Sequence, residues 1–330
     1  MRGAVIGLGM MGRHHARILQ NHPTLEFGGA VDPAGDVHGC VNDSARVHAT
    51  INLMLASGAR PDFAVVAVPT EEHLAAVKTL SAAGVHLLIE KPLAPTVSDS
   101  RQLIAAVDDA GVKAAVGHVE RFNPALLELR RRINDGQLGE VFLIATERVG
   151  PFPDRVKDVG VVKDLATHDL DLVRWLGGAA VDRLSAETQH RMGREHEDLV
   201  LAHGRLENGR TFQCSVDWLT PTKVRQTRVL GERGMLVANT LTADLTFYEN
   251  AEVSTSGWSA IQALRGVAEG DMTRYALERR EPLAVELETF AAYCAGDESA
   301  AVVSLADGLQ TVAVAEACLT SAANGETVRP

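Results

Sequence analysis

The run Gly7-Leu8-Gly9-Met10-Met11-Gly12, and what stands on either side of it, narrows the folds open to this chain more than any other feature. Residues 3–6 are short, apolar and partly β-branched, as a buried parallel strand is. Residues 11–20 place Met11, Ile18 and Leu19 at helical spacing among polar residues. A strand, a glycine turn and a helix form the setting in which G-x-G-x-x-G holds a dinucleotide. Gly7 permits the tight turn, Gly9 lets backbone approach a pyrophosphate, and Gly12 lets helix and strand pack closely. The anion would rest on the free N–H groups of the helix start, with Met10 and Met11 beside it.

Asp32 supports this reading. It ends a second apolar run, residues 27–31, at the distance where a carboxylate accepts hydrogen bonds from the adenosine ribose. That carboxylate would repel a 2′-phosphate, and Pro33 and Ala34 bring no arginine to neutralise one. The expected cofactor is therefore NAD rather than NADP.

Strand-like and helix-like runs alternate up to about residue 118. Strands are expected over 62–68, 85–89 and 113–117, and helices over 71–83 and 98–110. That alternation implies a doubly wound α/β sheet. From residue 140 strands dominate, at 141–149, 182–189, 198–206, 211–219, 227–230 and 235–238, with a hairpin turn at Glu207-Asn208-Gly209. Helices return near 282–295 and 304–323. The expected architecture is a Rossmann domain over 1–120 and an α+β domain over 121–330 built on a large, mostly antiparallel open sheet. Arg130, Arg131 and Arg132, in a helix expected over 123–134, read as a solvated face.

With 330 residues the chain can build two cores. Its net charge of −11 argues against general binding to nucleic acid or anionic membranes. Cys40, Cys214, Cys294 and Cys318 are widely spaced, which fits reduced thiols rather than a disulfide framework or a zinc site. Arg13, His14 and His15 interrupt the first apolar run, so no signal peptide is expected, and no apolar stretch is long enough to span a membrane. The expected location is the cytoplasm.

In an open parallel sheet, ligands bind beyond the C-terminal ends of the strands. The glycine loop, Val68-Pro69-Thr70 with His73, Glu90-Lys91-Pro92 and Gly117-His118 should all reach that edge. An ammonium at Lys91 can stabilise an oxygen as its carbon loses hydride. Further on, Asp164, His168 and Asp171 lie four and three apart, on one face of a helix. His168 suits the role of base for a hydroxyl proton, with Asp164 or Asp171 orienting it. The same residue types can hold a metal, but no further His or Cys cluster stands close by in sequence, and no metal is assigned. Asp169 and Arg174 read as exposed partners; His14, His15, His38, His86 and His190 read as structural. Arg155 and Lys157 stand where they can meet a substrate phosphate or simply face solvent.

With these motifs in this order, the chain resembles the glucose–fructose oxidoreductase / inositol dehydrogenase / MocA family over nearly its whole length. The resemblance implies that Lys91, Asp164 and His168 act together at the reacting carbon of a small-molecule sugar. It also implies an open sheet whose face builds a homodimer or homotetramer. The stretches Gly117-His118-Val119-Glu120-Arg121-Phe122-Asn123-Pro124, Arg148-Val149-Gly150-Pro151-Phe152-Pro153 and Trp218-Leu219-Thr220-Pro221-Thr222-Lys223-Val224-Arg225 are similar to the branch containing UDP-N-acetylglucosamine 3-dehydrogenases. Such enzymes oxidise the sugar 3-hydroxyl to a ketone for an aminotransferase. A cyclitol or sugar phosphate is the alternative substrate, and a non-catalytic NAD(H) sensor the alternative of another class. Lys163 and Ala166 depart from the family pattern, where an apolar residue and a glycine are usual.

Overall fold

The computed structural model describes all residues except 59, 154, 155, 157, 158 and 252–268. It divides into two compact units. One contains Met1–Val119 and Glu281–Ala313, the other Glu120–Arg280 and Val314–Pro330.

In the first unit, six parallel strands form one sheet: β1 (Arg2–Ile6), β2 (Glu26–Val31), β3 (Val47–His48), β4 (Phe63–Val66), β5 (His86–Glu90) and β6 (Ala114–Gly117). Their order is β3-β2-β1-β4-β5-β6, which puts the reversal of strand order between β1 and β4. Ala4, Val5, Ile6, Phe63, Val65, Leu88 and Ile89 are fully or almost fully buried, as strands covered on both faces must be. The helices carry their own boundary signals. The Thr96 hydroxyl accepts from the Asp99 N–H to open the helix Val97–Ala110, and Gly111 closes it at φ 62°.

The sequence places residues 281–313 in the second domain, but Glu281–Ala313 folds with the first unit. The reason is apolar. Leu283, Leu287, Phe290 and Ala291 line one face of the helix Pro282–Cys294 and enter the same core as Val5, Phe63 and Val65. Phe290 meets Phe63 edge-on with 5.8 Å between ring centroids. Truncating such a ring to alanine costs about 3–5 kcal/mol. The Val116 N–H also donates to the Val303 carbonyl at 2.9 Å, so the chain after this helix covers the outer strand β6.

The second unit is built on eight strands: β7 (Val141–Val149), β8 (Val181–Gln189), β9 (Leu199–Leu206), β10 (Thr211–Asp217), β11 (Val224–Gly231), β12 (Gly234–Asn239), β13 (Asp244–Asn250) and β14 (Glu269–Tyr275). Their order is β14-β13-β12-β11-β7-β10-β9-β8, antiparallel except between β7 and β10. Val200 and Ala202 point to the core while Leu201 faces solvent, the alternation of a sheet covered on one side. Leu170, Val173 and Leu176 of the helix Thr167–Gly177 share that core with Ile144, Leu206 and Phe212.

Some elements escaped the sequence reading: β3, the helix Ile51–Ala56, β13 and β14. β3 has two residues, and β14 is exposed along nearly its whole length, so neither carries a burial pattern to read. The arginine run is also corrected. Arg131 is exposed, but Arg130 stacks on the Trp175 ring at 4.6 Å and Arg132 on the Tyr275 ring at 3.2 Å. Only one of the three is a solvated face residue; the others spread their planar groups over aromatic rings.

Candidate active site

In the first unit the sequence-predicted residues gather at one edge of the sheet. The register pairs Ile6 with Val31 and Val66, Val66 with Ile89, and Glu90 with Gly117. The segments following β1, β4, β5 and β6 therefore leave the sheet side by side.

The glycine loop is specified by contact rather than by flexibility alone. Gly7 sits at φ 90°, and a β-carbon there would lie 2.7 Å from the Ala67 carbonyl oxygen. A β-carbon on Gly12 would overlap the Gly7 carbonyl oxygen, whereas one on Gly9 would meet nothing within 4 Å. Gly7 and Gly12 thus close the turn, and Gly9 leaves open space in front of it. The helix Met10–Asn21 begins at Gly9 with no side-chain cap and no acidic residue in its first turn. Its leading N–H groups and dipole suit an anion. The Asp32 carboxylate lies beside this loop: Oδ2 accepts from the Leu8 N–H at 2.8 Å and Oδ1 from the Ala34 N–H at 2.9 Å. A carboxylate fixed in this way retains acceptor capacity for ribose hydroxyls. The loop, the uncapped helix start and the acid together fit a dinucleotide.

His73 and Glu90, assigned to cofactor binding from sequence, are both buried. The His73 ring nitrogens face the Leu93 and Val68 carbonyls at 3.1 and 3.2 Å. Burial pushes its pKa down, so a neutral ring donates to one carbonyl at a time. It ties the segment after β4 to the segment after β5, which fixes Val68-Pro69-Thr70. Glu90 pairs with His15 Nε2 at 2.8 Å, and its other oxygen accepts from the Lys91 N–H at 3.3 Å. The peptide Lys91–Pro92 is cis. His15, read from sequence as structural, anchors the residue preceding Lys91; the two are far apart in sequence and the fold brings them together. His118 is buried as well.

In the second unit, Asp164 lies in a single π-turn, Val162–Ala166, and His168 in the first turn of the helix that follows. The turn is pinned by Glu197, whose carboxylate accepts from the Val162 N–H at 3.0 Å and whose carbonyl accepts from the Val161 N–H at 3.0 Å. Gly160 lies against that carboxylate, where a β-carbon would overlap it. Between residues 162 and 177, only Lys163, Asp164, Leu165, His168 and Trp175 remain partly accessible. The two chemistry-bearing residues expected from sequence are therefore on the open strip of an otherwise buried element.

Asp169 and Arg174 are not the exposed partners expected. Both are buried, as is Asp171. Arg148 bridges Asp169 and Glu120 at 2.5 and 2.8 Å, and Arg121 makes a two-pronged pair with Asp171 at 2.7 and 2.5 Å. Burial works against the charge of Arg148, but Asp169 and Glu120 outweigh it and raise its pKa. Burial pushes Asp169 up, against the pull of Arg148. Periodicity gives no hint of these pairs, because a charged residue facing a core is read as solvated unless its partner is known. Arg155 and Lys157 fall outside the described residues.

Comparison with known proteins gives the family. The oxidoreductase family with an NAD-binding Rossmann fold, GFO_IDH_MocA, matches residues 1–118, and the GFO/IDH/MocA C-terminal domain matches residues 126–237. The chain belongs to this family. Its cofactor is NAD, and its relatives are sugar and polyol dehydrogenases. A UDP-N-acetylglucosamine 3-dehydrogenase of Acidithiobacillus ferrooxidans is 28% identical over 88% of this chain and 87% of its own. The myo-inositol dehydrogenase Hyg17 of Streptomyces leeuwenhoekii is 33% identical over 72% of this chain and 76% of its own. The solved structure of the Acidithiobacillus enzyme superimposes with a TM-score of 0.82 at 25% identity, covering 97% of each chain. Among the described residues no helix is long and apolar enough to cross a membrane.

Proposed function

We propose that this NAD-dependent oxidoreductase oxidises a secondary hydroxyl of a nucleotide sugar to a ketone, with the 3-hydroxyl of UDP-N-acetylglucosamine as its target. The observation that carries the chemistry is the open strip bearing Asp164 and His168 on a helix buried elsewhere. The substrate class rests on the 28% identity to a 3-dehydrogenase along most of both chains.

The residues divide the work. Gly7, Gly9, Met10, Met11, Gly12 and Asp32 hold NAD, with Val68, Pro69 and Thr70 alongside. Bound NAD supplies the acceptor for hydride. His168 takes the hydroxyl proton, and Asp164 orients the imidazole and stabilises its cation. The Lys91 ammonium hydrogen-bonds the reacting oxygen and favours negative charge on it. Arg155 binds substrate phosphate. The ketone product suits an aminotransferase that replaces it with an amine, in amino-sugar biosynthesis.

Incubation with NAD and UDP-N-acetylglucosamine, followed by mass spectrometry, tests this reading. A ketone two mass units below the substrate, as expected for loss of two hydrogens, is the expected product. Oxidation of myo-inositol alone would favour a second reading, which has its own support in the 33% identity to a myo-inositol dehydrogenase.

The protein also assembles as a homodimer or homotetramer in this proposal. On one face of the large sheet, Met272, Tyr248, Met235, Leu230 and Leu143 stand opposite one another across five strands. Met272, Tyr248 and Leu230 are exposed. A second copy would cover that apolar row. Light scattering is expected to give a multiple of the chain mass, and a monomer at working concentration would remove the proposal.

A further inference from the structure

Two stretches singled out in the sequence, 117–124 and 148–153, meet behind the helix that carries His168. From the first come Glu120 and Arg121; from the second comes Arg148. Arg148 is a fully buried cation shared between Asp169 at 2.5 Å and Glu120 at 2.8 Å. Arg121 grips both oxygens of Asp171, and its guanidinium lies 5.7 Å from the Trp175 ring on the same helix. Asp169 follows His168 directly, and Asp171 is one turn further on. The helix is therefore tethered at two points within a turn of His168, by the Arg148 bridge at Asp169 and the Arg121 fork at Asp171.

Planar guanidinium groups held by two carboxylate oxygens, from two residues at Arg148 and from one at Arg121, fix direction as well as distance. They are also costly to bury, and apolar residues would fill the same space with no loss of stability. A role beyond stability is the physical reason to keep them. We propose that Arg148, Arg121 and Glu120 are positioning residues for His168: they lock its helix through Asp169 and Asp171 and keep the ground behind the imidazole electrically balanced.

The proposal rests on His168 being the base, so the test separates the two claims. Histidine-selective NMR titration of the full chain follows the His168 ring without any substrate, the signal being identified by its loss in His168→Asn. Asp169→Asn removes a negative charge next to His168 and leaves Arg148 with Glu120 as its remaining carboxylate, so the pKa of His168 should fall by roughly half a unit or more. Arg148→Met with Asp169→Asn removes equal and opposite charges and should return it to the wild-type position. Lys163 and Asp164 on the preceding turn, Arg121 and Asp171, Glu120, and Arg225 on β11 are common to all variants and cancel in the comparison.

Arg148→Lys keeps the charge and provides the variant least prone to unfolding. It should leave the titration in place but speed hydrogen exchange in the peptide spanning 162–176, because an ammonium cannot reproduce the planar guanidinium bridge between Asp169 and Glu120. Peptides of the first unit serve as the unchanged reference. An unmoved titration in folded Asp169→Asn would overturn the electrostatic half of the proposal. Unchanged exchange in Arg148→Lys would overturn the tether. Turnover of His168→Asn is read separately: retained turnover removes His168 as the base and leaves both outcomes above standing.

Discussion

The two units build their candidate functional residues from different materials. In the first unit the work is done by backbone: an uncapped helix start, two glycines that admit no β-carbon, and a sheet edge where four segments emerge together. In the second unit it is done by side chains, with His168 and Asp164 on an open strip and arginine–aspartate pairs buried behind them. A backbone site is specified by where side chains must be absent. A side-chain site is specified by partners brought from distant parts of the chain.

That difference governs what could be read from the sequence. Glycine spacing exposes a backbone site directly, so Gly7, Gly9, Gly12 and Asp32 were legible along with the parallel sheet. Lys91, Asp164 and His168 were candidates from chemistry, spacing and family resemblance, and the structure leaves all three partly accessible. Asp169, Asp171, Arg121 and Arg148 were not, since their burial depends on contacts across 50 and 21 positions of sequence. The same blindness hid the His15–Glu90 pair and the return of the helix Pro282–Cys294 to the first unit. A helix was expected near 282–295, but not the core it enters.

The largest expected effect is at Lys91. Lys91→Met should abolish turnover while NAD affinity, measured by titration calorimetry, stays within a few-fold of wild type; NAD binding lost in parallel would show that Lys91 builds the backbone site instead. In the second unit, Arg121→Met removes the two-pronged partner of the buried Asp171 carboxylate and should lower stability by about 3–5 kcal/mol in denaturant unfolding. A loss under about 1 kcal/mol, typical of exposed pairs, would mean that water reaches the pair.

A smaller effect separates two glycines of the same motif. Gly12→Ala must displace the Gly7 carbonyl and should cost about 2–4 kcal/mol of stability together with NAD affinity. Gly9→Ala meets only open space and should weaken NAD binding with little effect on the melting temperature. Equal effects at the two positions would undo the distinction drawn between them. Asp32→Ala should reduce the preference for NAD over NADP, read as the ratio of their dissociation constants.

The smallest effect concerns pH. Glu286 is buried, neither carboxylate oxygen has a hydrogen-bond partner among the described residues, and burial, then the Glu90 charge, pushes its pKa well above the ordinary value. A carboxyl whose pKa is raised on folding takes up a proton. Stability should therefore fall as pH rises from the ordinary carboxylate range through the folded pKa, by up to about 1.4 kcal/mol per pH unit. Glu286→Gln should remove that slope. A wild-type slope retained in the variant would assign it to another group.

The central claim is that a backbone-built NAD site in one unit and a side-chain site in the other serve one reaction. The most direct measurement is a double-mutant cycle on turnover of UDP-N-acetylglucosamine, using Lys91→Met, His168→Asn and the two together. Groups that act on the same reacting carbon as a unit give strongly non-additive effects. The account predicts that each single variant loses turnover and that the double variant is little worse than the worse single one. Retained turnover in either single variant, or losses that simply multiply, would contradict it.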